Sequence, residues 1–383
     1  MGFDVAVIGA GVHGCSAAAH LSARGASVAI IDKGGVASGP TGRSSAVCRA
    51  YYTNPFLARV ARESLDVLAD FNTWSHGGHS GFRQIGLLFL HPADDGPQLY
   101  DNAERLRSLG TAVEVLDAGQ LAESFPEISQ RGIGFGVWEP GGGPADPSGT
   151  TAGLFAMARA QGAVARLNDE VLDLQPSASG VTITTRSGVV EADRVLIAAG
   201  PWTKPLATKV GVDLPLTVER HFVTTNSWGP MTPLPYGLAD VTEGFYLVPE
   251  GPGMFGLGQL FDEPLVDPDA FDETVTVDEQ LRMAAAGIAR IPAIANCGLV
   301  GGWASLYDVS PDWQPVIGEI APGVYVDAGT SGHGFKLAPI LGRHIADLLL
   351  DGVGDPGLRA FHPDRFGTGN HLVGGYGRAR ILG

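Results

Sequence analysis

The chain is short of cysteine, of long apolar runs and of positive charge, and each shortage excludes a class of protein. Its cysteines are Cys15, Cys48 and Cys297, an odd and scattered set that predicts neither a disulfide framework nor a zinc site. No run reaches the ~18 consecutive apolar residues that a membrane helix needs. The net charge of −16 argues against binding to nucleic acid or to an anionic membrane surface. We therefore expect no metal, no nucleic acid and no membrane partner.

The beginning of the chain has neither the basic segment nor the cleavage site of a secretory leader, because FDVAVIGAG passes straight into an apolar run. Together with the cysteine usage, this predicts a cytoplasmic protein. The 383 residues are enough for two domains, or for one domain with an inserted lobe.

The N-terminal part has the pattern of a strand, a helix and a second strand. Residues 3–9 are rich in Val and Ile, as in a buried parallel strand, and residues 26–32 repeat that pattern. Residues 12–24 carry Ala and Leu at helical spacing. This order predicts a βαβ unit, whose two strands lie in one parallel sheet.

The loop between the first strand and the helix, GAGVHG, has the spacing GxGxxG. Gly9 permits a tight turn, Gly11 lets the backbone approach a pyrophosphate, and Gly14 permits close packing of the helix on the strand. The helix begins at Val12 and His13, where N–H groups and the positive end of the dipole face a phosphate. The loop predicts a nucleotide site.

Asp32 ends the second strand at roughly the 20-residue distance from which a carboxylate binds the ribose hydroxyls of a dinucleotide. The same carboxylate would repel a 2′-phosphate, so NADP is not expected. The alternative, a glycine-rich turn that only packs two elements, would not need this acid. The unit predicts NAD or FAD without separating the two.

A second strand, loop and helix follow near the other end of the chain. GVYVDAG predicts a strand, SGHG a loop, and residues 335–352 a helix. N–H groups at that helix N-terminus would stabilise negative charge on the N1–C2=O edge of a reduced flavin. A simple NAD dehydrogenase, the third alternative for this chain, has no need of such a loop, so the pair of loops favours FAD.

Five stretches, in this order, resemble the D-amino-acid oxidase superfamily of FAD enzymes. The closest resemblance is to the sarcosine oxidase branch, including the β subunits of heterotetrameric sarcosine oxidases, and it covers nearly the whole chain. The stretches are VIGAGVHG with Asp32, SGPTGRSSAVCRAYY (38–52), GGGPADPSG (141–149), VLIAAGPWT (195–203), and SLYDVSPDWQPVIGEI followed by AGTSGHGFK (305–336).

The resemblance implies an α/β fold in which a Rossmann-like FAD-binding domain carries an inserted substrate lobe with an antiparallel sheet over the flavin ring. The expected FAD domain is discontinuous and comprises 1–82, 146–214 and 311–361. The expected substrate domain comprises 83–145 and 215–310. Residues 362–383 are expected to form a loosely held C-terminal tail.

The resemblance also implies a set of cofactor contacts, carried over position by position. Arg43 is expected to contact the flavin or a phosphate, with a surface-loop arginine as the alternative, and Trp202 has plain core packing as its alternative. The set comprises Gly9, Gly11, Val12, His13, Gly14, Asp32, Lys33, Ser38, Thr41, Gly42, Arg43, Ser44, Val171, Ala199, Gly200, Trp202, Gly332, His333, Gly334, Phe335 and Lys336.

Four residues match substrate-side or catalytic positions of the family. Arg49 and Lys336 are expected to hold the substrate carboxylate, since a planar two-pronged donor and a point charge suit that group. The alternative for Arg49 is a structural ion pair. Tyr246 matches a substrate-facing tyrosine, with a core role as its alternative. His333 completes the set, although we expect it to order its loop rather than to act as a base.

Weaker candidates are Tyr51 and Tyr52. The chain also departs from the family at three positions. The lysine that activates oxygen in monomeric sarcosine oxidases falls on Gly256, a nearby histidine on Leu260, and the cysteine that bonds covalently to the flavin on Ser305. No histidine stands in residues 38–48 for the other covalent link. We therefore expect non-covalent FAD and a slow reaction with oxygen.

The expected function is FAD-dependent oxidation of an amine or amino acid, with a secondary or N-methyl amino acid similar to sarcosine as substrate. A hydride would pass to flavin N5 and leave an imine that water hydrolyses. The electron acceptor is oxygen or another, unknown molecule. Two alternatives remain: a D-amino-acid dehydrogenase, and a flavin-binding subunit that works with a partner subunit in a larger amine-oxidising complex.

Overall fold

The computed structural model describes residues 2–251, 253–261, 263–375 and 380. In chain order its strands are β1 (Phe3–Ile8), β2 (Val28–Asp32), β3 (Val47–Cys48), β4 (Leu87–His91), β5 (Glu114–Asp117), β6 (Phe135–Glu139), β7 (Gly143–Pro144), β8 (Val164–Leu167), β9 (Val171–Ser177), β10 (Gly180–Thr185), β11 (Gly188–Ile197), β12 (Thr217–Ser227), β13 (Gly237–Asp240), β14 (Phe245–Glu250), β15 (Met254–Gln259), β16 (Gly298–Val309), β17 (Val316–Ala321) and β18 (Val324–Ala328).

The helices are α1 (Val12–Ala23), α2 (Pro55–Ala69), α3 (Phe71–Trp74), α4 (Gly96–Ser108), α5 (Ala118–Ser124), α6 (Pro147–Ala160), α7 (Thr203–Thr208), α8 (Val277–Arg290), α9 (Ala338–Asp351) and α10 (Asp364–Gly367). Within the described ranges, none of these helices is long and apolar enough to cross a membrane.

The first sheet has the strand order β17-β18-β11-β1-β2-β8, with β10 and β9 attached beside β11. β1 pairs in parallel with β2 and with β11, as the βαβ pattern predicts. Val5, Val7 and Ile30 are fully or almost fully buried, which explains their continuous apolar sequence. α1 packs against α6 and α9. Because parallel strands end at the same edge, the loops after β1, β2, β11 and β18 meet there.

The second sheet has the order β16-β12-β15-β14-β13-β4-β6-β5 and is antiparallel except for the parallel pair β13–β4. On one face, residues such as Leu247 and Leu257 pack with Met283 of α8 in a separate hydrophobic core. The opposite face carries Phe89, Tyr246 and Tyr307, which turn toward the first sheet. The α/β class with an added antiparallel lobe is thus confirmed.

The strands of the second sheet come from 87–139 and 217–309, and those of the first sheet come from the rest of the chain. The domain boundaries proposed from the sequence fall between these groups and stay a prediction. α2 and α3 are separate helices, because Asp70 between them leaves helical geometry at ψ 36°. The helix predicted over 335–352 differs in extent. The last long helix begins only at Ala338, with Pro339 in its first turn, where proline is tolerated.

The expectation of a loosely held tail is wrong for its first residues. Arg365 of α10 is buried, and its guanidinium donates to both carboxylate oxygens of Asp312 at 2.8 and 2.9 Å and to the Gln314 carbonyl at 3.0 Å. A buried guanidinium needs such partners, and they fix this turn to the segment before β17. Residues 376–379 and 381–383 of the predicted tail lie outside the described part of the chain.

Candidate active site

A cavity of about 720 Å³ lies between the loop edge of the first sheet and the inner face of the second. This volume falls in the range of ligand sites, roughly 300–1,000 Å³. Of the predicted site residues, Gly14, Gly42 and His333 lie behind its wall. Those that line it are Gly9, Gly11, Val12, His13, Asp32, Lys33, Ser38, Thr41, Arg43, Ser44, Arg49, Val171, Ala199, Gly200, Trp202, Tyr246, Gly332, Gly334, Phe335 and Lys336.

The three glycines of the first loop have the geometry that their spacing predicts. Gly9 has φ +116°, a value that side chains disfavour. A Cβ at Gly14 would collide with the Gly9 carbonyl oxygen, so the helix needs glycine to approach the strand. A Cβ at Gly11 would meet only the Thr41 hydroxyl, at 3.1 Å. Bare backbone at Gly11 and the N-terminus of α1 therefore face the cavity.

Asp32 fixes this loop. One carboxylate oxygen accepts the Ala10 N–H at 2.6 Å and the other accepts the Gly34 N–H at 2.6 Å. Each oxygen has a further lone pair, and Asp32 lines the cavity. The carboxylate is thus placed to accept hydrogen bonds from a ligand while it orders the turn.

The His13 ring joins the two glycine loops. Its Nδ1 lies 2.7 Å from the Asp327 carboxylate, and its Nε2 lies 3.1 Å from the Gly334 carbonyl oxygen. Burial lowers the pKa of His13, but Asp327 and Asp308 outweigh burial, so the net pKa is raised. The charged ring donates on both sides. The sequence placed His13 in the first turn of the helix and among the expected cofactor contacts, but it did not predict that the ring bridges the loops.

Hydrogen bonds within the loop Ser38–Ser45 and to the residues just before it stabilise its conformation. The Ser38 hydroxyl accepts the Gly35 N–H at 3.1 Å, and the Gly42 N–H donates to the Ala37 carbonyl at 3.2 Å. Arg43 pairs with Glu273 of the second lobe at 2.9 Å. This ion pair fits the surface-loop alternative, but Arg43 also lines the cavity, so its contact with the cofactor stays a prediction.

Although His333 matches a catalytic position of the family, its ring is not placed as a base. Its ring is buried, with Nε2 2.9 Å from the Trp313 carbonyl oxygen and Nδ1 3.3 Å from the Tyr52 hydroxyl. Burial, together with the nearby Lys336, lowers the pKa of His333 to about 3. The neutral ring orders the second glycine loop and lies outside the cavity lining.

Arg49 and Lys336 meet in one buried wall of the cavity, although they are far apart in sequence. Arg49 donates to the Tyr51 carbonyl, and its guanidinium carbon lies 4.2 Å from the Tyr52 ring centroid. The Lys336 ammonium donates to the His333 carbonyl at 3.3 Å. Burial, reinforced by the charge of Arg49, lowers the pKa of Lys336 to about 7. Arg49 and protonated Lys336, both buried in the same cavity wall, suit an anionic ligand.

Glu139 is a buried acid beside this wall that the sequence did not single out. One carboxylate oxygen accepts the Ala50 N–H at 2.6 Å, and the other accepts the Tyr51 N–H at 3.2 Å. Burial raises the pKa of Glu139 to about 7, against the opposite pull of these bonds, of Arg49 and of Lys336. Glu139 thus holds the backbone that presents Arg49. An acid at the end of the apolar strand in VWEPGGG was its only sequence signal.

Tyrosines of the second sheet cover the opposite wall. The Tyr246 hydroxyl is 2.9 Å from the Ser45 hydroxyl, and its ring lies over Gly258, where a Cβ would collide with it. Tyr307, which the sequence did not single out, lines the cavity and stacks on His221 with ring centroids 3.8 Å apart. It stands in SLYDVSPDW, one of the stretches that resemble the family.

The lysines and arginines among the described lining residues are Lys33, Arg43, Arg49, Lys209 and Lys336, and none of them stands on β15. At Gly256, on that strand, a Cβ would lie 2.8 Å from the Glu250 carboxylate and 3.0 Å from Val223. Other side chains thus already fill the space next to Gly256. Leu260 and Ser305 line the cavity.

A protein-family model described as FAD dependent oxidoreductase, abbreviated DAO, matches residues 4–348. The chain belongs to this family. Among curated relatives, glycine oxidase of Geobacillus kaustophilus is 26% identical over 91% of this chain and 93% of the relative. Monomeric sarcosine oxidase of Streptomyces avermitilis is 28% identical, over 95% and 97%. The crystal structure of L-proline dehydrogenase from P. horikoshii superposes with a TM-score of 0.85 at 24% identity, over 96% and 98%, and shows the shared fold.

Family membership confirms the resemblance to the sarcosine oxidase branch and the FAD cofactor, and it excludes the simple NAD dehydrogenase. The chain is an FAD-dependent oxidoreductase of amines or amino acids. The residues that line the cavity fit FAD. The backbone at Gly11 can approach a pyrophosphate, and the N–H groups at the N-terminus of α1 can donate to it. The Asp32 carboxylate can accept from the ribose hydroxyls.

Proposed function

We propose that this enzyme oxidises a secondary or N-methyl amino acid whose carboxylate binds Arg49 and Lys336. The observation that carries the proposal is the meeting of these two cations in one buried cavity wall. A bidentate guanidinium and an ammonium orient a carboxylate and so fix the position of the neighbouring carbon.

FAD, when bound, would supply the hydride acceptor, flavin N5, and the resulting imine would be hydrolysed by water. The chain supplies position and charge. Arg49 and Lys336 hold the acid group, Glu139 holds the backbone of Arg49, and Tyr246 and Tyr307 line the wall formed by the second sheet. A strong base is not needed if the amine binds in its neutral form. This agrees with the use of both Glu139 oxygens for backbone N–H groups.

The proposal includes non-covalent FAD and a slow reaction with oxygen. Ser305 stands where the family's covalent cysteine stands, and a serine hydroxyl does not replace that thiolate. Gly256 has replaced the oxygen-activating lysine, and no described cation of β15 lines the cavity. This last observation favours a separate electron acceptor, and with it the second candidate function, a dehydrogenase or a flavin subunit working with a partner.

An anaerobic visible spectrum tests the proposal. The purified yellow protein is titrated with N-methyl, cyclic and D-amino acids, and air is then admitted. We expect an N-methyl or cyclic amino acid to bleach the flavin, and its colour to return slowly in air. Bleaching by D-amino acids alone would favour the D-amino-acid dehydrogenase. A flavin that none of these acids bleaches, in a protein that co-purifies with another chain, would favour the subunit.

A further inference from the structure

Residues 263–276, which connect β15 to α8 in the second lobe, reach the cavity at Asp269. We call this segment the strap. Its first part is bound to β12, because the Arg220 N–H donates to the Pro264 carbonyl at 3.1 Å and the Val266 N–H donates to the Val218 carbonyl at 3.0 Å. The strap therefore starts from a fixed position on the sheet.

The far end of the strap is also fixed to β12. The Arg220 guanidinium donates to the carbonyls of Asp272 and Thr274 at 2.7 and 2.6 Å, and it pairs with Glu279 of α8 at 2.6 Å. Between the two anchors the chain makes a turn, in which the Ala270 N–H donates to the Asp267 carbonyl at 3.1 Å. This turn presents Asp269 to the cavity.

Asp269 binds two residues of the cofactor side at once. One of its carboxylate oxygens accepts from the Lys33 ammonium at 2.8 Å and from the Trp202 indole N–H at 2.8 Å. The ammonium lies 3.9 Å from the centroid of the Trp202 ring. All three residues line the cavity. These hydrogen bonds lower the pKa of Asp269, which keeps it charged.

A second acid of the strap acts in the same way. Glu273 pairs with Arg43 at 2.9 Å, and the Glu273 carbonyl accepts the Ala304 N–H at 3.0 Å. The strap thus holds both the turn after β2, through Lys33, and the loop after it, through Arg43. Lys33 directly follows Asp32, which places the contact at the end of the cavity where a dinucleotide's adenosine half binds.

We propose that Asp269 and Glu273 are positioning residues of the cofactor site, which latch the strap of the substrate lobe over the adenosine half of FAD. The proposal rests on the non-covalent binding proposed above, since only then does retention depend on how often the wall opens. A single exposed ion pair stabilises little, so both acids must be removed to open the latch.

The test is the rate of FAD release from the holoenzyme, followed as flavin fluorescence after dilution. The variant is Asp269→Ala/Glu273→Ala. Its matched control is Asp347→Ala/Asp351→Ala, which also removes two exposed acids, here from the Arg24 pairs on α9. We expect release from the latch variant to be about fivefold faster or more, and release from the control to match the wild type. High salt should speed release from the wild type more than from the latch variant.

Release from the latch variant within about twofold of the control would overturn the latch and leave the proposed function standing. A wild-type protein that holds no FAD would overturn both. Flavin that stays on the denatured chain would contradict non-covalent binding and the latch together. Lys33→Met/Glu273→Ala supplies a second check, because it also breaks both contacts of the latch. Adding Asp269→Ala to this variant should speed release little further.

Discussion

At the scale of single residues, the arrangement of charge around Arg49 decides what the cavity can bind. Arg49, Glu139 and Lys336 come from three distant parts of the chain and lie in one buried cluster. With Arg49 and Lys336 protonated, the cluster has two positive charges and one acid, so its net charge favours an added anion. Burial makes each charge–charge interaction stronger than it would be in water.

Replacing Glu139 with Gln should weaken carboxylate binding, because an amide offers one acceptor where the Ala50 and Tyr51 N–H groups need two. The expected loss of folding stability is on the order of 1–3 kcal/mol. Benzoate affinity, measured by perturbation of the flavin spectrum, should fall as well. The control is Asp355→Asn, since one oxygen of Asp355 accepts the Gly357 N–H and the other accepts from the Arg59 guanidinium, and Asp355 does not line the cavity. Stability loss in both variants with unchanged benzoate affinity would reduce Glu139 to a structural role.

Carboxylate binding should weaken as pH rises through about 7, the pKa to which burial and Arg49 lower Lys336. Above that pH the ammonium loses its proton, and Glu139 ionises in the same range, so both changes disfavour an anion. Each of these two protons contributes up to about tenfold per pH unit, so the Kd of benzoate should rise by up to roughly 100-fold per unit where both are lost. Benzamide, which is uncharged, provides the control ligand. A benzoate Kd that stays constant from slightly acid to alkaline pH would contradict this charge assignment.

At the scale of elements, local sequence predicted the parts that depend on local geometry. β1, α1 and β2 follow from apolar runs and glycine spacing, because the positive φ of Gly9 and the approach of Gly14 to the Gly9 carbonyl are local backbone needs. The second sheet was predicted only in outline. β13 pairs with β4 across a long stretch of intervening chain, and such pairing leaves no local pattern.

The second and third glycines of the first loop, Gly11 and Gly14, should respond differently to an added methyl group. Gly14→Ala forces a Cβ onto the Gly9 carbonyl, so we expect a loss of about 1–3 kcal/mol or more in folding stability. Gly11→Ala should leave folding stability nearly unchanged and weaken the binding of FAD, because the added Cβ would lie on the side of the loop that faces the cavity, near Thr41. Thermal unfolding of the apoprotein and titration with FAD separate the two effects. Equal behaviour of the two variants would contradict these glycine roles.

At the scale of the whole molecule, an acidic protein lines one cavity with five lysines and arginines: Lys33, Arg43, Arg49, Lys209 and Lys336. The sequence predicted most of the cofactor wall, because those residues stand in the loops after the strands of the first sheet. It missed Glu139, Tyr307 and Asp269, since their roles arise from contacts between parts of the chain that only the fold brings together. For the same reason, the sequence did not predict the ion pair between Arg43 and Glu273.

The central claim is that this cavity oxidises an amino acid held by its carboxylate. The most direct measurement is anaerobic flavin reduction by sarcosine, or by the N-methyl or cyclic amino acid that bleaches it fastest, in the wild type and in Arg49→Ala. We expect the variant to keep FAD, to raise the KM, and to lose on the order of 2–4 kcal/mol in kcat/KM. The decarboxylated amine should react slowly with both proteins. An unchanged KM in Arg49→Ala, or an amine that reacts as well as the acid, would contradict the claim.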